Sequence, residues 1–383
     1  MVAPNSPSGS PTAPQPMSIV VAGGGTAGHI EPALAVADAC RQAVPTARIT
    51  ALGTAKGLEK DLVPARGYML KLIDPVPVPR KPSADLARLP LRVWKAVRQA
   101  RAILQDVNAD VLIGFGGYVS APAYVAAKTL GIPFYVHESN ASAGMANKLG
   151  VKLGGVGLNA VPQSGMKGEV VGVPIRDTFR PEDQEFLAEQ ARKRWDLDPH
   201  RTTIVVTGGS QGAQSINRAV EQAAAEITAL GCQIVHAVGK KNLLPAPREH
   251  YHPVAYIEQM AEALAAADVV VCRAGAMTVA EVTSSGTPAV YVPLPHGNGE
   301  QSLNALPVVN TGGARMIADS ELSPAVLVDT LQSMVSSPDT MRAMAAATRS
   351  SAAGNAAEEI ARRLITAATE RRVQQQHSAA EGK

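Results

Sequence analysis

The sequence predicts an α/β protein of two doubly wound, parallel-sheet domains facing a central cleft. Two glycine-rich turns and the order of the elements around them lead to this reading. Ile19-Val20-Val21-Ala22 runs into GGGTAGH (Gly23 to His29), and Thr203-Ile204-Val205-Val206 runs into TGGSQGA (Thr207 to Ala213). Short β-rich runs then alternate with helical stretches in both halves, the pattern of βαβ units. With 383 residues, the chain exceeds what one ordinary core supports, so two domains are expected.

In the first half, strands are expected at 18–23, 48–52, 68–73, 110–115 and 133–138, with helices near 30–43, 85–106, 120–130 and 142–149. Residues 151–180 are rich in Gly and Val and contain GVPIRDTF, which reads as the crossing between domains. The second half repeats the scheme, with strands at 203–207, 232–238, 268–272 and 289–293 and helices at 212–229, 260–267, 278–285 and 299–309. After 323 the pattern is helical, and NAAEEIARRLITAATERRV (355–373) reads as a strong amphipathic helix. The implied division is a disordered leader over 1–17, domains over 18–174 and 175–353, a C-terminal helix over 354–373 returning to the first domain, and a frayed tail over 374–383.

Bulk properties narrow the function. The composition is 46% hydrophobic and 18% charged, as in globular proteins. A net charge of +3 gives no argument for nucleic acid. Cys40, Cys232 and Cys272 are odd in number and lack CxxC spacing, which fits a reducing compartment and excludes a cysteine-based zinc site. No apolar run approaches the roughly 18–20 residues a bilayer requires. Residues 1–16 lack the charged and apolar regions of a signal peptide.

A strand that ends in glycines and opens a helix aims free backbone N–H groups at open space, which suits phosphate. Gly23, Gly25 and Gly28 formally satisfy GxGxxG, so an NAD-dependent dehydrogenase must be weighed. That reading needs an acid at the end of the next strand. Here the strand ends in Leu52-Gly53-Thr54, and the first acid afterwards is Glu59. GFGGYVS (114–120) offers more amides on the same sheet edge, or simply close helix–strand packing.

RAGAMTVAE (273–281) follows an apolar strand and is more specific. Its helix aims its first amides at an anion, and Thr278 and Glu281, one turn apart, share a face where a carboxylate could accept two ribose hydroxyls; capping by the same pair is the alternative. In the polar run His296 to Gln301, Gln301 and the nearby Asn304 could contact sugar hydroxyls, or act as caps or a solvated face.

Taken together, GGGTAGHIEPALAVA, GFGGYVSAP, HESNASAGMANK, GVPIR, TGGSQGAQSIN, RAGAMTVAE and HGNGEQSLNA occur in one order over nearly the whole folded chain. In this the sequence resembles the MurG family of UDP-N-acetylglucosamine transferases, which convert lipid I to lipid II in peptidoglycan synthesis. The resemblance implies a GT-B fold, a C-terminal domain that holds UDP-GlcNAc, and an N-terminal domain that takes the polyprenyl-linked lipid I. It also implies inverting transfer of GlcNAc to the C4 hydroxyl of MurNAc, with no cofactor and no required metal. Carried over by motif, donor contacts fall on Thr26, Ala27, Gly28, Asn140, Arg176, Ser210, Ile257, Ala276, Met277, Thr278, Val279, Ala280, Glu281 and Gln301. Ala27 stands where the family often has glycine, a change that a backbone contact tolerates.

Each implied role has a physical reason. Ser210 and the surrounding amides can hold the diphosphate, Arg176 can pair with it through its fork of donors, Ile257 can offer backbone groups to the uracil edge, and Glu281 suits the ribose diol. The sequence has no DxD-like cluster near these turns, which fits neutralisation of the leaving group by amides and Arg. Inversion needs a base to take the acceptor proton. His29, directly after the first turn, is the candidate, with Glu138 the alternative base or an orienting group; His29 could instead cap the loop or touch phosphate, and His137 reads as structural. A polyprenyl acceptor implies a membrane. Residues 80–101 carry seven Lys/Arg (Arg80, Lys81, Arg88, Arg92, Lys95, Arg98, Arg101) against Asp85, interleaved with Leu86, Leu89, Leu91, Val93, Trp94 and Val97. Such a helix suits an anionic surface on the cytoplasmic side, or is a surface helix facing the sheet. Cell-wall synthesis proteins are possible partners. Three other readings stay open: a 2-epimerase or glycolipid synthase of the same fold, the dehydrogenase, and a non-catalytic sensor of nucleotide sugars.

Overall fold

The computed structural model describes residues 15–55, 57–76, 84–176, 183–295, 299–352 and 354–381. Two all-parallel sheets carry the fold. The first runs through β1 (Ser18–Ala22), β2 (Arg48–Thr54), β3 (Met69–Ile73), β4 (Val111–Gly114), β5 (Phe134–Glu138), β6 (Val156–Asn159) and β7 (Glu169–Val170) in the spatial order β3-β2-β1-β4-β5-β6-β7. The second contains β8 (Thr202–Thr207), β9 (Cys232–Ala237), β10 (Tyr251–Val254), β11 (Val269–Cys272), β12 (Ala289–Tyr291) and β13 (Ala314–Met316) in the order β10-β9-β8-β11-β12-β13.

Both orders reverse at the strand that precedes a glycine turn. β1 lies between β2 and β4, and β8 lies between β9 and β11. Such a reversal leaves a crevice beyond the carboxyl ends of the two central strands, because the connections leave in opposite directions. The turns at 23–26 and 114–119 therefore share one crevice, and those at 207–213 and 273–275 share the other. The central strands are apolar on both faces because helices cover both sides of each sheet: Ile19, Val20, Val21 and Ala22 are all buried, as are Ile204, Val205 and Val206.

The first sheet is covered by α1 (Ala27–Ala43), α2 (Glu59–Ala65), α3 (Ala84–Asp106), α4 (Ser120–Thr129) and α5 (Met145–Lys152). The second is covered by α6 (Gln184–Trp195), α7 (Gln214–Ala229), α8 (Met260–Ala266), α9 (Ala276–Ser285), α10 (Glu300–Asn310), α11 (Pro324–Val335) and α12 (Pro338–Ser350). The last helix, α13 (Ala356–Glu381), returns to the first domain. Its Ala357, Ile360, Ala361, Leu364 and Ala368 are buried in the same cluster as Ala33, Ala37 and Cys40 of α1. Arg363 reaches Glu169 at 2.8 Å, and Arg372 Nε donates to Asp110 at 2.8 Å.

Several boundaries differ from the sequence reading. Residues 151–180 are not one long crossing, because β6 and β7 extend the first sheet through this stretch. Its glycines serve close approach: a Cβ on Gly157 would stand 2.0 Å from the Lys167 carbonyl oxygen. β10 and β13 escape the pattern because they are short edge strands, and Pro253 within β10 is tolerated there. Helix α13 continues through 374–381, where Gln, Ala, His, Ser and Glu contain no breaker before Gly382. Residues 1–14 of the expected leader lie outside the described residues, while the carbonyls of Gln15 and Pro16 accept from Arg372.

Leu364 is fully buried between α13 and the first domain. Leu364→Ala is expected to destabilise the first domain by about 2–5 kcal/mol, read as a lower urea midpoint at an unchanged slope.

Candidate active site

In the first crevice the glycine loop is held by a buried acid. Glu59 is fully buried; its Oε1 accepts from Thr54 N at 2.7 Å and Thr54 Oγ1 at 2.9 Å, and its Oε2 accepts from Gly25 N at 3.1 Å. Burial alone would push this carboxyl upward, yet the donors of Thr54, Glu59 and Gly25 together hold it below the usual carboxylate range. The first acid after β2 therefore ties the loop to the strand instead of facing a ribose, which removes the remaining support for a dinucleotide site. On the other flank Gly117 has φ +79°, and a Cβ there would lie 2.5 Å from the Gly24 carbonyl oxygen, so the two glycine turns of this domain touch backbone to backbone.

His29, in the first turn of α1, is half-buried. Its Nδ1 lies 3.3 Å from the Gly24 carbonyl oxygen and 3.3 Å from Thr26 Oγ1. In the tautomer that donates from Nδ1 to this carbonyl, the ring's lone pair is on Nε2. Nε2 faces the open Gly116 position, where a Cβ would come within 3.1 Å. Thr26 and Gly28 are exposed beside it and Ala27 is half-exposed.

Glu138 is arranged differently. Its Oε1 accepts from Asn140 N (2.9 Å) and Asn140 Nδ2 (3.3 Å), and its Oε2 from Gly144 N (3.0 Å) and Asn147 Nδ2 (2.9 Å). Both oxygens are occupied and the side chain is only 3% exposed, so Glu138 braces the loop that presents Asn140 and is not free to act as the alternative base. His137 is fully buried, its Nε2 sits 2.9 Å from the Gly172 carbonyl oxygen, and burial lowers its pKa to about 4.

On the second domain, Ser210 is exposed at the tip of the 207–213 turn. Gly209 and Gly212 take φ +83° and +73°, and Gly212 passes so close to β9 that a Cβ would stand 1.9 Å from the Val238 carbonyl oxygen. Ile257 has its side chain in the core with Leu197, Val205 and Val235, so only its backbone is available to a ligand. Helix α9 begins at Ala276 after an extended Gly275, and no side chain caps it. The amides of Ala276, Met277 and Thr278 are thus free of the capping alternative, and each residue of Ala276–Glu281 is half-buried. Arg273 is not part of this opening: it pairs with Asp319 at 2.5 Å and with Ser215 Oγ at 3.0 Å, fastening β11 to its neighbours. Gln301 Oε1 accepts from Ala274 N (3.2 Å) and Leu294 N (2.9 Å) and so joins the loop before α9 to the loop between β12 and α10. His296 to Asn298 of the expected polar loop lie outside the described residues.

The domains meet across these elements. Asn304, on α10, accepts from Ala141 N at 2.9 Å and donates to the Ala274 carbonyl at 3.2 Å. It therefore bridges the domains, a role the sequence reading missed because nothing local identifies a partner 163 residues away. Behind this bridge a cavity of about 110 Å³ is lined by residues of both domains, among them Ser139, Ile175, Ala276, Val279 and Ala280. Arg176 Nε and Nη2 lie 3.1 and 2.7 Å from the two oxygens of Glu31 on α1. Burial pushes the Glu281 carboxyl up to about 7, opposed by Arg176 and reinforced by Glu31. Among the described residues, no three His, Cys, Asp or Glu side chains gather to hold a metal.

The glycosyltransferase family 28 N-terminal domain matches residues 19–153, and the C-terminal domain of the same family matches residues 203–364. This chain belongs to glycosyltransferase family 28. It is 58% identical, over 92% of its length and 98% of the relative, to a Corynebacterium efficiens protein named UDP-N-acetylglucosamine--N-acetylmuramyl-(pentapeptide) pyrophosphoryl-undecaprenol N-acetylglucosamine transferase. A Corynebacterium glutamicum (strain R) protein of the same name is 60% identical over 90% of this chain and 97% of its own. The crystal structure of Acinetobacter baumannii MurG superposes with a TM-score of 0.73 at 28% identity, covering 92% of this chain and all of that one. The two all-parallel, doubly wound domains are those of the GT-B fold.

Glu59→Ala would orphan three donors beneath the first loop, each costing about 1–3 kcal/mol. A lower thermal midpoint together with weaker binding at the His29 side of the crevice is expected, measured by calorimetry and by ligand titration.

Proposed function

We infer that this chain transfers GlcNAc from UDP-GlcNAc, with inversion, to the C4 hydroxyl of MurNAc in undecaprenyl-pyrophosphoryl-MurNAc-pentapeptide (lipid I), giving lipid II for peptidoglycan synthesis. The observation that carries this reading is 58–60% identity with transferases of that name over nine-tenths of the chain. The opposed crevices give the chemistry a location.

The donor lies on the second domain. Amides of the 207–213 turn with Ser210, and those that open α9 at Ala276–Thr278, receive the diphosphate, where N–H groups and the helix dipole favour negative charge. Uracil is read by backbone groups at Ile257, the ribose diol by Glu281, and Arg176 supplies a fixed positive charge. Val279, Ala280 and Gln301 line the sugar side, and Thr26, Ala27, Gly28 and Asn140 approach it from the first domain. Because Glu281 accepts hydroxyl donors best as a carboxylate, its raised pKa couples donor binding to pH near neutrality. The acceptor hydroxyl attacks the anomeric carbon opposite the leaving diphosphate, and His29 Nε2 takes the hydroxyl proton as the bond to UDP breaks. Charge accumulating on UDP is met by donors already in place, so little reorganisation is needed as the transition state forms.

The acceptor is membrane-bound, and the enzyme acts peripherally at the cytoplasmic face, where anionic lipid and cell-wall synthesis proteins are its expected neighbours. Among the described residues no helix is long and apolar enough to cross a membrane. Helix α3 supports attachment: Ala96, Ala100 and Leu104 face the sheet, while Leu91 (69% exposed) and Trp94 (55% exposed), one turn apart, face outward. Arg98 lies over the Trp94 ring at 4.6 Å, and Lys95 is partly spent on Asp74 at 2.7 Å. Arg80 and Lys81, and the side chain of Arg88, lie outside the described residues. The outward apolar row beside basic groups matches an interfacial helix better than one serving only its own sheet.

Purified enzyme with UDP-GlcNAc and a short-chain lipid I analogue should form the disaccharide product, with UDP-GalNAc as the poor donor. UDP-GlcNAc turnover without acceptor would point to an epimerase, and binding without transfer to a sensor. His29→Ala should lower kcat by about 10²–10⁴ if His29 is the base, and near-normal turnover would remove it from that role. In flotation with anionic vesicles, Leu91→Glu with Trp94→Glu should release the protein; retention would move the membrane surface elsewhere.

A further inference from the structure

Among the described residues, a fork between Arg176 and Glu31 reaches from the crossing segment back to the first domain. It continues as a row of alternating charges. Glu31 also takes Arg66 Nη2 at 3.2 Å, Arg66 pairs with Asp38, and the Tyr68 hydroxyl donates to Asp38 at 2.6 Å. These partners come from α1, the residue just after α2, and the start of the chain leading to β3, all parts of one rigid domain. The Glu31 side chain is only 15% exposed, so two guanidinium groups hold it in a site with little room for other rotamers.

Arg176 uses Nε and one Nη2 hydrogen in this fork. Its side chain is 40% exposed. Its neighbour Ile175 lines the interdomain cavity with Ala276, Val279 and Ala280 of α9, Arg176 itself lines the adjoining cavity with Asp38, Arg41 and Arg66, and the charges of both Glu31 and Glu281 act on its guanidinium.

We propose that Glu31 is a positioning residue of the transfer reaction: by forking Arg176 from the first domain, it fixes the guanidinium for the anionic donor, a nucleoside diphosphate sugar held on the second domain. The inference rests on the reading of Arg176 as a donor contact. A free arginine on the six residues that follow β7 would have to be ordered anew at each binding event, and immobilising a rotamer-rich side chain reduces affinity by about three- to tenfold. Glu31 has already paid that ordering in the empty enzyme. The opposite effect, in which Glu31 competes with the diphosphate for Arg176, would tighten donor binding when Glu31 is removed.

The test compares Glu31→Gln, Glu31→Ala, Arg176→Ala and the Glu31→Ala/Arg176→Ala pair in full-length enzyme, with UDP-GlcNAc and the lipid I analogue varied separately. Glu31→Gln keeps the shape and one acceptor, so it guards against simple misfolding, and thermal midpoints are measured alongside. Glu31→Ala should raise KM for UDP-GlcNAc about three- to tenfold, with kcat and the acceptor KM little changed, and Glu31→Gln should fall between it and wild type. In the Arg176→Ala background, Glu31→Ala should add almost nothing, because the two act through one contact. Additive losses, equal rises in both KM values, or a lower donor KM would each overturn the proposal. If Arg176→Ala leaves the donor KM unchanged, the reading of Arg176 falls and this inference with it. If Arg176→Ala raises that KM and the Glu31 variants do not, only the inference falls.

Discussion

A strand buried between two parallel neighbours cannot change direction at its end without leaving backbone N–H groups unpaired, and a sheet whose order reverses at that strand leaves empty space in front of them. This constraint operates twice here, at β1 and at β8. Glycine is what makes both turns possible. Gly117 must pass the Gly24 carbonyl, and Gly212 must pass that of Val238, at separations that no side chain survives. The site is thus first a consequence of backbone geometry, and the side chains around it adjust charge and orientation.

Keeping those turns rigid is costly in itself, and the two domains solve it in different ways. The first inserts a buried carboxylate, Glu59, whose three donors hold the loop to β2. The second uses the Arg273–Asp319 pair with Ser215 to fix the end of β11. In both cases a charged group that looks available for chemistry is consumed by structure. Glu138 follows the same rule, with four N–H contacts on two oxygens. His29 differs: one ring nitrogen is anchored by its own loop, and the other lies beside the Gly116 position of the facing glycine turn. An acid–base group needs a fixed orientation of this kind.

Between the domains the contacts named above are few and polar. Asn304 with Ala141, and Arg176 with Glu31, join residues that are 163 and 145 positions apart in the chain. Helix α13 adds an apolar strap, since its buried face belongs to the core of the first domain although the helix follows the second.

The alternation of apolar strands with amphipathic helices was legible because burial on both faces forces continuous Val and Ile runs, and a helix packed on a sheet needs a 3.6-residue repeat. β7 and β13 were not, since two or three residues at a sheet edge carry no period, and the glycines around β6 look like a linker until another strand is seen lying against them. By itself the sequence determined the two glycine elbows, their place at strand ends and the motifs that mark the family, because these depend on residues close together along the chain. Tertiary structure alone decided which acids are spent and which side chains are free. Glu59, Glu138 and Glu281 are the same kind of group in a sequence, and only their depth and the donors brought to them from distant segments make one a clamp, one a brace and one a carboxyl with its pKa near 7.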